Sequence, residues 1–265
     1  MTKVLVHGNP ESSAVWGPLL DQLAHRGVDD VVCLSPPGFG APLGERPPRS
    51  PQDYRDWLIG ELERCDRPVD LVGHDWGAGH LYAVLAQLKS ARRGELVRTW
   101  TADVAGLLHA DYEWHEMGQL WQTPEVGEQV VAAMAAMDVA ERAEGYVGMG
   151  VTPDAAADMA AAMNDDMGSS ILSLYRGAAQ PYMADLGRKL AGEQLPPGLV
   201  VLATEDTFAG TDAMTSAVAA DLGADVLRLE GAGHWWMCQR PDAAADALVA
   251  HWADADVIAE RGESE

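Results

Sequence analysis

Short β-rich apolar runs alternate with longer helical patterns along most of this chain, and that alternation constrains its fold more than any other feature. Val4-Leu5-Val6 ends in the loop His7-Gly8-Asn9-Pro10, and Val31-Val32-Cys33-Leu34 is stopped by Pro36-Pro37-Gly38. Val69 to Val72, Leu96 to Thr101, Leu199 to Ala203 and Asp225 to Leu229 supply further strand-like runs. Between the first two, Trp16, Leu19, Leu20 and Leu23 recur at the i, i+3, i+4, i+7 spacing of a helix with one buried face. Ser50-Pro51-Gln52-Asp53 is a helix start, with a serine cap, proline at the first position and an acid at the third. Helices are also expected over roughly 78–91, 212–222 and 241–253, with the polar tail from Asp254 to Glu265 fraying beyond the last. Alternation of this kind dictates a mostly parallel sheet covered by helices on both faces.

From Leu107 to Leu195 the pattern changes to alanine- and methionine-rich helical stretches without a convincing strand. Thr123-Pro124 and Thr152-Pro153 are expected helix starts there. The expected organisation is an α/β core over residues 1–106, a helical cap over 107–195 and the second part of the core over 196–265.

Charge and cysteine usage exclude several function classes. Lys and Arg total 18 against 41 Asp and Glu, a net charge of −23 that repels phosphate backbones and anionic lipid. Nucleic acid and membrane are therefore not expected partners. Cys33, Cys65 and Cys238 lie far apart with no CxxC pair, which argues against a disulfide framework or a cysteine zinc site and fits a cytoplasmic location. No run approaches the ~18 consecutive apolar residues of a membrane span. The expected partner is a small apolar molecule, with a homodimer left open.

In an open parallel sheet the reactive groups sit at the carboxyl ends of the strands. Four such ends carry chemistry. Gly73-His74-Asp75-Trp76-Gly77 is a G-x-D-x-G turn between a strand and a helix, a nucleophile elbow with aspartate at the exposed position. An ordinary helix-start aspartate is the bland alternative, and the flanking glycines argue against it. The His7-Gly8-Asn9-Pro10 loop can aim the Asn9 N–H at the spot faced by the Trp76 N–H, a pair able to form an oxyanion hole. His234, in Gly231-Ala232-Gly233-His234-Trp235-Trp236, is the best general-base candidate among eight histidines. Asp206, in Ala203-Thr204-Glu205-Asp206, is the candidate orienting acid, and Asp103 competes with it. His7 and His74 are expected to brace loops through backbone bonds, and His25 and His251 to sit on solvated helix faces.

These motifs, as HGNPESS, GHDWGAG, LATEDTF and GAGHWWM, resemble the epoxide hydrolase and haloalkane dehalogenase branch of the α/β-hydrolases, over nearly the whole chain. The order Asp75, Asp206, His234 matches nucleophile, acid and histidine in that fold. Its members usually open with two more strands before the HG-x-P loop, so a sheet short of its first one or two strands is expected. The resemblance implies no metal or organic cofactor. Leu174-Tyr175-Arg176 resembles the W-Y-R segment that carries an epoxide hydrolase's proton-donating cap tyrosine. The second cap tyrosine has no match, because its place holds Met117, and Tyr112, Tyr146 and Tyr182 are the candidates to replace it. Asn9 instead resembles the dehalogenase pattern, where Asn9 and Trp76 would clamp a halide.

An aspartate nucleophile displaces a leaving group at saturated carbon, forming an ester that water then hydrolyses. The expected activity is opening of an apolar epoxide to a diol: Asp75 attacks, His234 activates water, Asp206 orients His234 and Tyr175 donates a proton. The alternatives are a haloalkane dehalogenase with the same triad and a ligand-binding protein on the same fold. Trp235 and Trp236 are expected to wall the pocket. Met134, Met137, Met149, Met159, Met163 and Met167 are expected as pocket wall or, for most of them, core.

Overall fold

The computed structural model describes residues 1–88 and 90–262. Six strands, β1 (Lys3–Val6), β2 (Val31–Leu34), β3 (Val69–Gly73), β4 (Val97–Ala102), β5 (Gly198–Ala203) and β6 (Asp225–Leu229), form one sheet in the order β2-β1-β3-β4-β5-β6. Every neighbouring pair is parallel. Because side chains alternate along a strand, Val4, Val6, Leu71 and Val200 enter one core while Leu5, Val72 and Val201 enter the other. The first core is closed by α2 (Pro51–Leu62) and α3 (Trp76–Gln87), through Tyr54, Leu58, Leu81 and Leu85. The second is closed by α1 (Gly17–His25) and α13 (Pro241–Gly262), through Leu19, Leu23, Leu248 and Trp252.

The helical segment lies between β4 and β5. After a 3-10 turn at Ala105–Leu108 come α5 (Glu116–Gln122), α6 (Val126–Ala136), α7 (Val139–Gly148), α8 (Pro153–Ala162), α9 (Asp165–Gly177) and α10 (Tyr182–Leu190). It rests on the core at two places: α10 packs on α3, and α8 packs on the 3-10 turn at Ser13–Trp16. The core is completed by α4 (Ser90–Leu96), α11 (Asp212–Asp221) and the single turn α12 (Trp236–Gln239). No described helix is long and apolar enough to cross a membrane.

Four boundaries differ from the sequence expectation. The helix after the elbow begins at Trp76, because the elbow feeds it directly, and Leu96 ends α4 rather than opening β4. Thr123-Pro124 does not start α6: the Thr123 hydroxyl donates to the Gln119 carbonyl at 2.8 Å, closing α5. The chain then reverses through Glu125 at φ +68°. The polar tail does not fray at Asp254. Ala255 is buried, and Arg98 pairs with Asp256 and donates to the Trp252 carbonyl, so packing on the sheet extends α13 past Asp254. The helix runs to Gly262, and the tail's last three residues lie outside the described residues.

Candidate active site

The elbow is built by glycines that let three backbones meet. Asp75 sits at φ +49°, ψ −120°, a left-handed conformation that costs a non-glycine residue about 1–3 kcal/mol. A Cβ on Gly77 would lie 2.0 Å from the Val6 carbonyl oxygen, one on Gly73 2.7 Å from the Ala78 backbone, and one on Gly8 2.2 Å from Asp75 Oδ2. Gly77→Ala is therefore expected to cost about 3 kcal/mol in denaturant unfolding. A variant as stable as the parent would show that the elbow yields.

The candidate catalytic groups converge at the strand ends. The Asn9 N–H donates to Asp75 Oδ2 at 2.9 Å. His234 Nε2 lies 3.8 Å from the other oxygen, Asp75 Oδ1. His234 Nδ1 meets Asp206 Oδ2 at 2.9 Å, and Asp206 Oδ1 accepts from the Phe208 N–H at 2.8 Å. The Trp76 N–H belongs to the first turn of α3, where backbone donors have no intrahelical acceptor. Asp103, the rival acid, reaches neither nitrogen of His234; it accepts from the Asp75 N–H at 2.9 Å and from Trp236 Nε1 at 2.7 Å. The structure thus brings Asp75, His234, Asp206 and Asn9 together and places Asp103 beneath them.

Burial sets the resting charges. It raises Asp75 to about 6, against the pull of His234 and with Glu11 adding to the rise. Burial opposes a charge on His234, but Asp206, by charge and hydrogen bond, and then Asp75 lift it to about 9. Asp206 is held below its ordinary value, since the His234 charge and hydrogen bond overcome its burial.

A cavity of about 330 Å³ opens on these groups, between the strand ends and the helical segment that follows β4. Asn9, Asp75, His234 and Trp235 supply its core side, and the cap adds Tyr175, His115, Tyr146 and the methionines Met117, Met134, Met137 and Met149. Met159, Met163 and Met167 are core instead. Trp236 does not wall the cavity as expected: it is buried on the sheet side, where its indole reaches Asp103. Both amide atoms of Asn9 are buried without a hydrogen-bond partner. Arg142, the one arginine on the wall, donates to the carbonyls of Met134, Ala135, Met137 and Ala160 and so closes helix ends.

Tyr175 lies on the wall as expected, packed edge-on against Trp76 with ring centres 5.4 Å apart. Burial and the Asp75 charge push its phenol well above the ordinary value. The neighbouring Trp76 and Asn9 side chains offset part of that rise. None of the proposed replacement tyrosines is free to act. The Tyr112 hydroxyl donates to the Phe208 carbonyl and that of Tyr146 to the Pro10 carbonyl, each at 2.9 Å, while Tyr182 lies off the cavity.

The residue that sequence reasoning missed is His115. Its Nδ1 accepts from the Gly118 N–H at 3.1 Å as the cap of α5, which leaves the hydrogen on Nε2, 3.5 Å from the Tyr175 hydroxyl. Burial lowers it to about 4, so it is a neutral donor. The signal was its place two residues before Met117, at a helix start.

His74 differs from expectation too: it meets two carboxylates, Glu11 and Asp103, rather than backbone. His7 braces its loop as expected, on the Gly8 carbonyl and the Ser35 hydroxyl. His251 is half-buried, not solvated. Glu11, His74 and His234 place ligand-type atoms within 4.8 Å of one another. Glu11 and Asp103 already engage both ring nitrogens of His74, so the cluster is a hydrogen-bonded network and not a ready metal site.

Two aspartates and a histidine thus meet at the strand ends of an all-parallel sheet, beside the helical segment that follows β4. Residues 4–247 match the family described as Alpha/beta hydrolase family, and the chain belongs to it. No curated protein matches the sequence. Among solved structures, a haloalkane dehalogenase DbeA-M1 loop variant from Bradyrhizobium elkanii is similar at TM-score 0.75 and 17% identity, covering 98% of this chain and 91% of that one. A putative ancestral haloalkane dehalogenase, AncHLD2, is similar at TM-score 0.70 and 18% identity, over 97% and 93%. A thermophilic esterase from Thermogutta terrifontis follows at TM-score 0.69 and 15% identity, over 96% and 90%. At such identities the likeness is one of fold, and it spans different chemistries.

Proposed function

We propose that the protein is an epoxide hydrolase for a small, neutral, apolar epoxide. The observation that carries this reading is the pairing of the Tyr175 hydroxyl with His115 Nε2, 3.5 Å apart on the cavity that exposes Asp75. Two neutral donors suit an oxygen leaving group, whose developing alkoxide needs a proton. Neutral apolar substrate fits a wall whose arginine is already engaged by backbone carbonyls.

Asp75 Oδ1, the oxygen not held by Asn9, attacks an epoxide carbon, the C–O bond breaks, and Tyr175 protonates the oxygen. His115 Nε2–H donates to the Tyr175 oxygen and so favours the tyrosinate that this proton transfer leaves. The ester no longer carries the Asp75 charge, one of the groups that raise His234, so the ring's proton affinity falls. The ring releases its resting proton to solvent, to regain it when the carboxylate is restored, and the neutral imidazole is the base the next step needs. It takes one from water, which attacks Asp75 Cγ, and the oxyanion forms on Oδ2 against the N–H groups of Asn9 and Trp76. His234 returns that proton to the departing diol oxygen. The second water proton, left on Asp75, restores the Tyr175 phenol.

A haloalkane dehalogenase remains the second reading, favoured by the unpartnered Asn9 amide on the cavity wall. Epibromohydrin, carrying an epoxide and a carbon–bromine bond, separates the two. Diol formation with bromide retained is expected, falling about 10²–10⁴-fold in Tyr175→Phe and less in His115→Ala. Bromide release that is indifferent to Tyr175→Phe would establish the second reading, and enzyme-dependent release of neither product would refute both.

A further inference from the structure

We propose that Glu11, His74 and Asp103 form a second, buried charge triad, an imidazolium between two carboxylates, that positions the Asp75 elbow and the oxyanion loop. It rests on Asp75 being the nucleophile, whichever group leaves. All three residues are positioning residues; none touches the cavity.

The protonation state follows from the bonding. His74 is fully buried, with Nε2 3.0 Å from Glu11 Oε1 and Nδ1 against Asp103 Oδ2. A neutral imidazole carries a single N–H and satisfies one carboxylate; only the imidazolium donates to both. Burial works against that charge, but Glu11 and then Asp103 outweigh it and raise His74 well above its ordinary value. Burial would likewise raise Glu11, yet the His74 charge and hydrogen bond, followed by His234, hold it down at about 2. The charged groups facing His74 from neighbouring loops are Glu11, Asp103, His234, Asp75 and Asp206, with His7 beside them.

The remaining acceptor sites of the triad end on residues at or next to the reacting groups. Glu11 Oε2 accepts from the Gly8 N–H at 3.1 Å, one residue before the Asn9 N–H that holds Asp75. Glu11 Oε1 accepts from Trp235 Nε1 at 2.7 Å, one residue after His234. Asp103 Oδ1 accepts from the N–H of Asp75 itself, and its Oδ2 from Trp236 Nε1. Three loops are thus tied to one ion triad directly below the chemistry. Strained backbone persists only where its surroundings over-determine it, and for Asp75 the Asp103 carboxylate is such a restraint. The triad also fixes a positive ring 4.6 Å from the His234 ring, centre to centre.

Two measurements test this, one independent of turnover. Histidine ¹⁵N NMR of the wild type is expected to show one imidazolium with both nitrogens protonated and no titration from about pH 5 to 9, missing in His74→Gln. In Glu11→Gln and in Asp103→Asn, the same ring is expected to become neutral or to titrate in that range. A neutral or titrating His74 in the wild type would overturn the triad, whatever substrate the enzyme takes. In the kinetic arm, folded Glu11→Gln and Asp103→Asn are expected to lose about 10–100-fold in kcat, the range for groups that orient reacting residues, with KM little changed. Glu11→Gln should also move the acid limb of kcat/KM downward, because Glu11 raises Asp75. Folded variants with wild-type kcat and an unmoved limb would reduce the triad to a structural ion cluster. Absence of Asp75-dependent turnover in the wild type would instead count against the proposed function, with the NMR result still deciding the triad.

Discussion

Asp75→Asn is expected to abolish turnover, by at least about 10³-fold in kcat, while leaving the protein folded. An amide has no anionic oxygen to displace a leaving group, and the covalent route has no substitute at the elbow. The change is nearly isosteric, so the Asn9 N–H keeps an oxygen acceptor. Stability is expected to move the other way. Burial holds Asp75 at about 6 in the folded chain, above the ordinary 3.8. Such a group favours folding fully only below the lower value and loses that contribution as pH rises through the upper one. At neutral pH the ionised Asp75 therefore works against folding, and the asparagine variant should melt at or above the wild-type temperature. Full activity in a variant shown by mass to be free of deamidation would end the nucleophile assignment. A lower melting temperature would show that the Asp75–His234 attraction outweighs burial.

The sheet was legible because parallel strands covered on both faces read as short apolar runs, as β1 from Val4 and β5 do. The strands β2, β3, β4 and β6 keep enough of that pattern despite Asp70, Arg98, Asp225 and Arg228 and the partial exposure of β2 and β6. The elbow was legible because a tight strand-to-helix turn demands glycine at Gly73 and Gly77, and few other turns do. His234 and Asp206 followed from their place at strand ends. The cap was harder. Its helices pack through alanine and methionine, which carry weak periodicity, so Thr123-Pro124 passed for a helix start when it closes the preceding helix. His115 escaped because one cap histidine looks like any other until Gly118 fixes its tautomer and α9 brings Tyr175 beside it. The Glu11–His74–Asp103 contacts join residues as much as 63 positions apart, from loops after three different strands, and nothing local in the chain announces such pairing.

His234→Gln is expected to stall the enzyme at the ester. Forming the bond to Asp75 needs an ionised carboxylate and a proton donor, neither of which is His234. Breaking it needs a base for water, and on this cavity the remaining imidazole, His115, cannot serve: its Nδ1 is engaged as the cap of α5, its hydrogen sits on Nε2, and burial still lowers it once the His234 charge is gone. The charge of His234 also lowers Asp75, so without it Asp75 should ionise above about 6 and the alkylation step should shift to higher pH. The experiment is therefore best run near pH 8, where the carboxylate is present in either case. Turnover should fall at least about 10³-fold, and the Asp75 peptide should gain the mass of one substrate in near-stoichiometric yield. The same adduct should be absent from the double variant that also carries Asp75→Asn. Sustained substrate consumption without an adduct would mean that water attacks the substrate directly, with Asp75 serving as its base, and the covalent mechanism would fall for either leaving group.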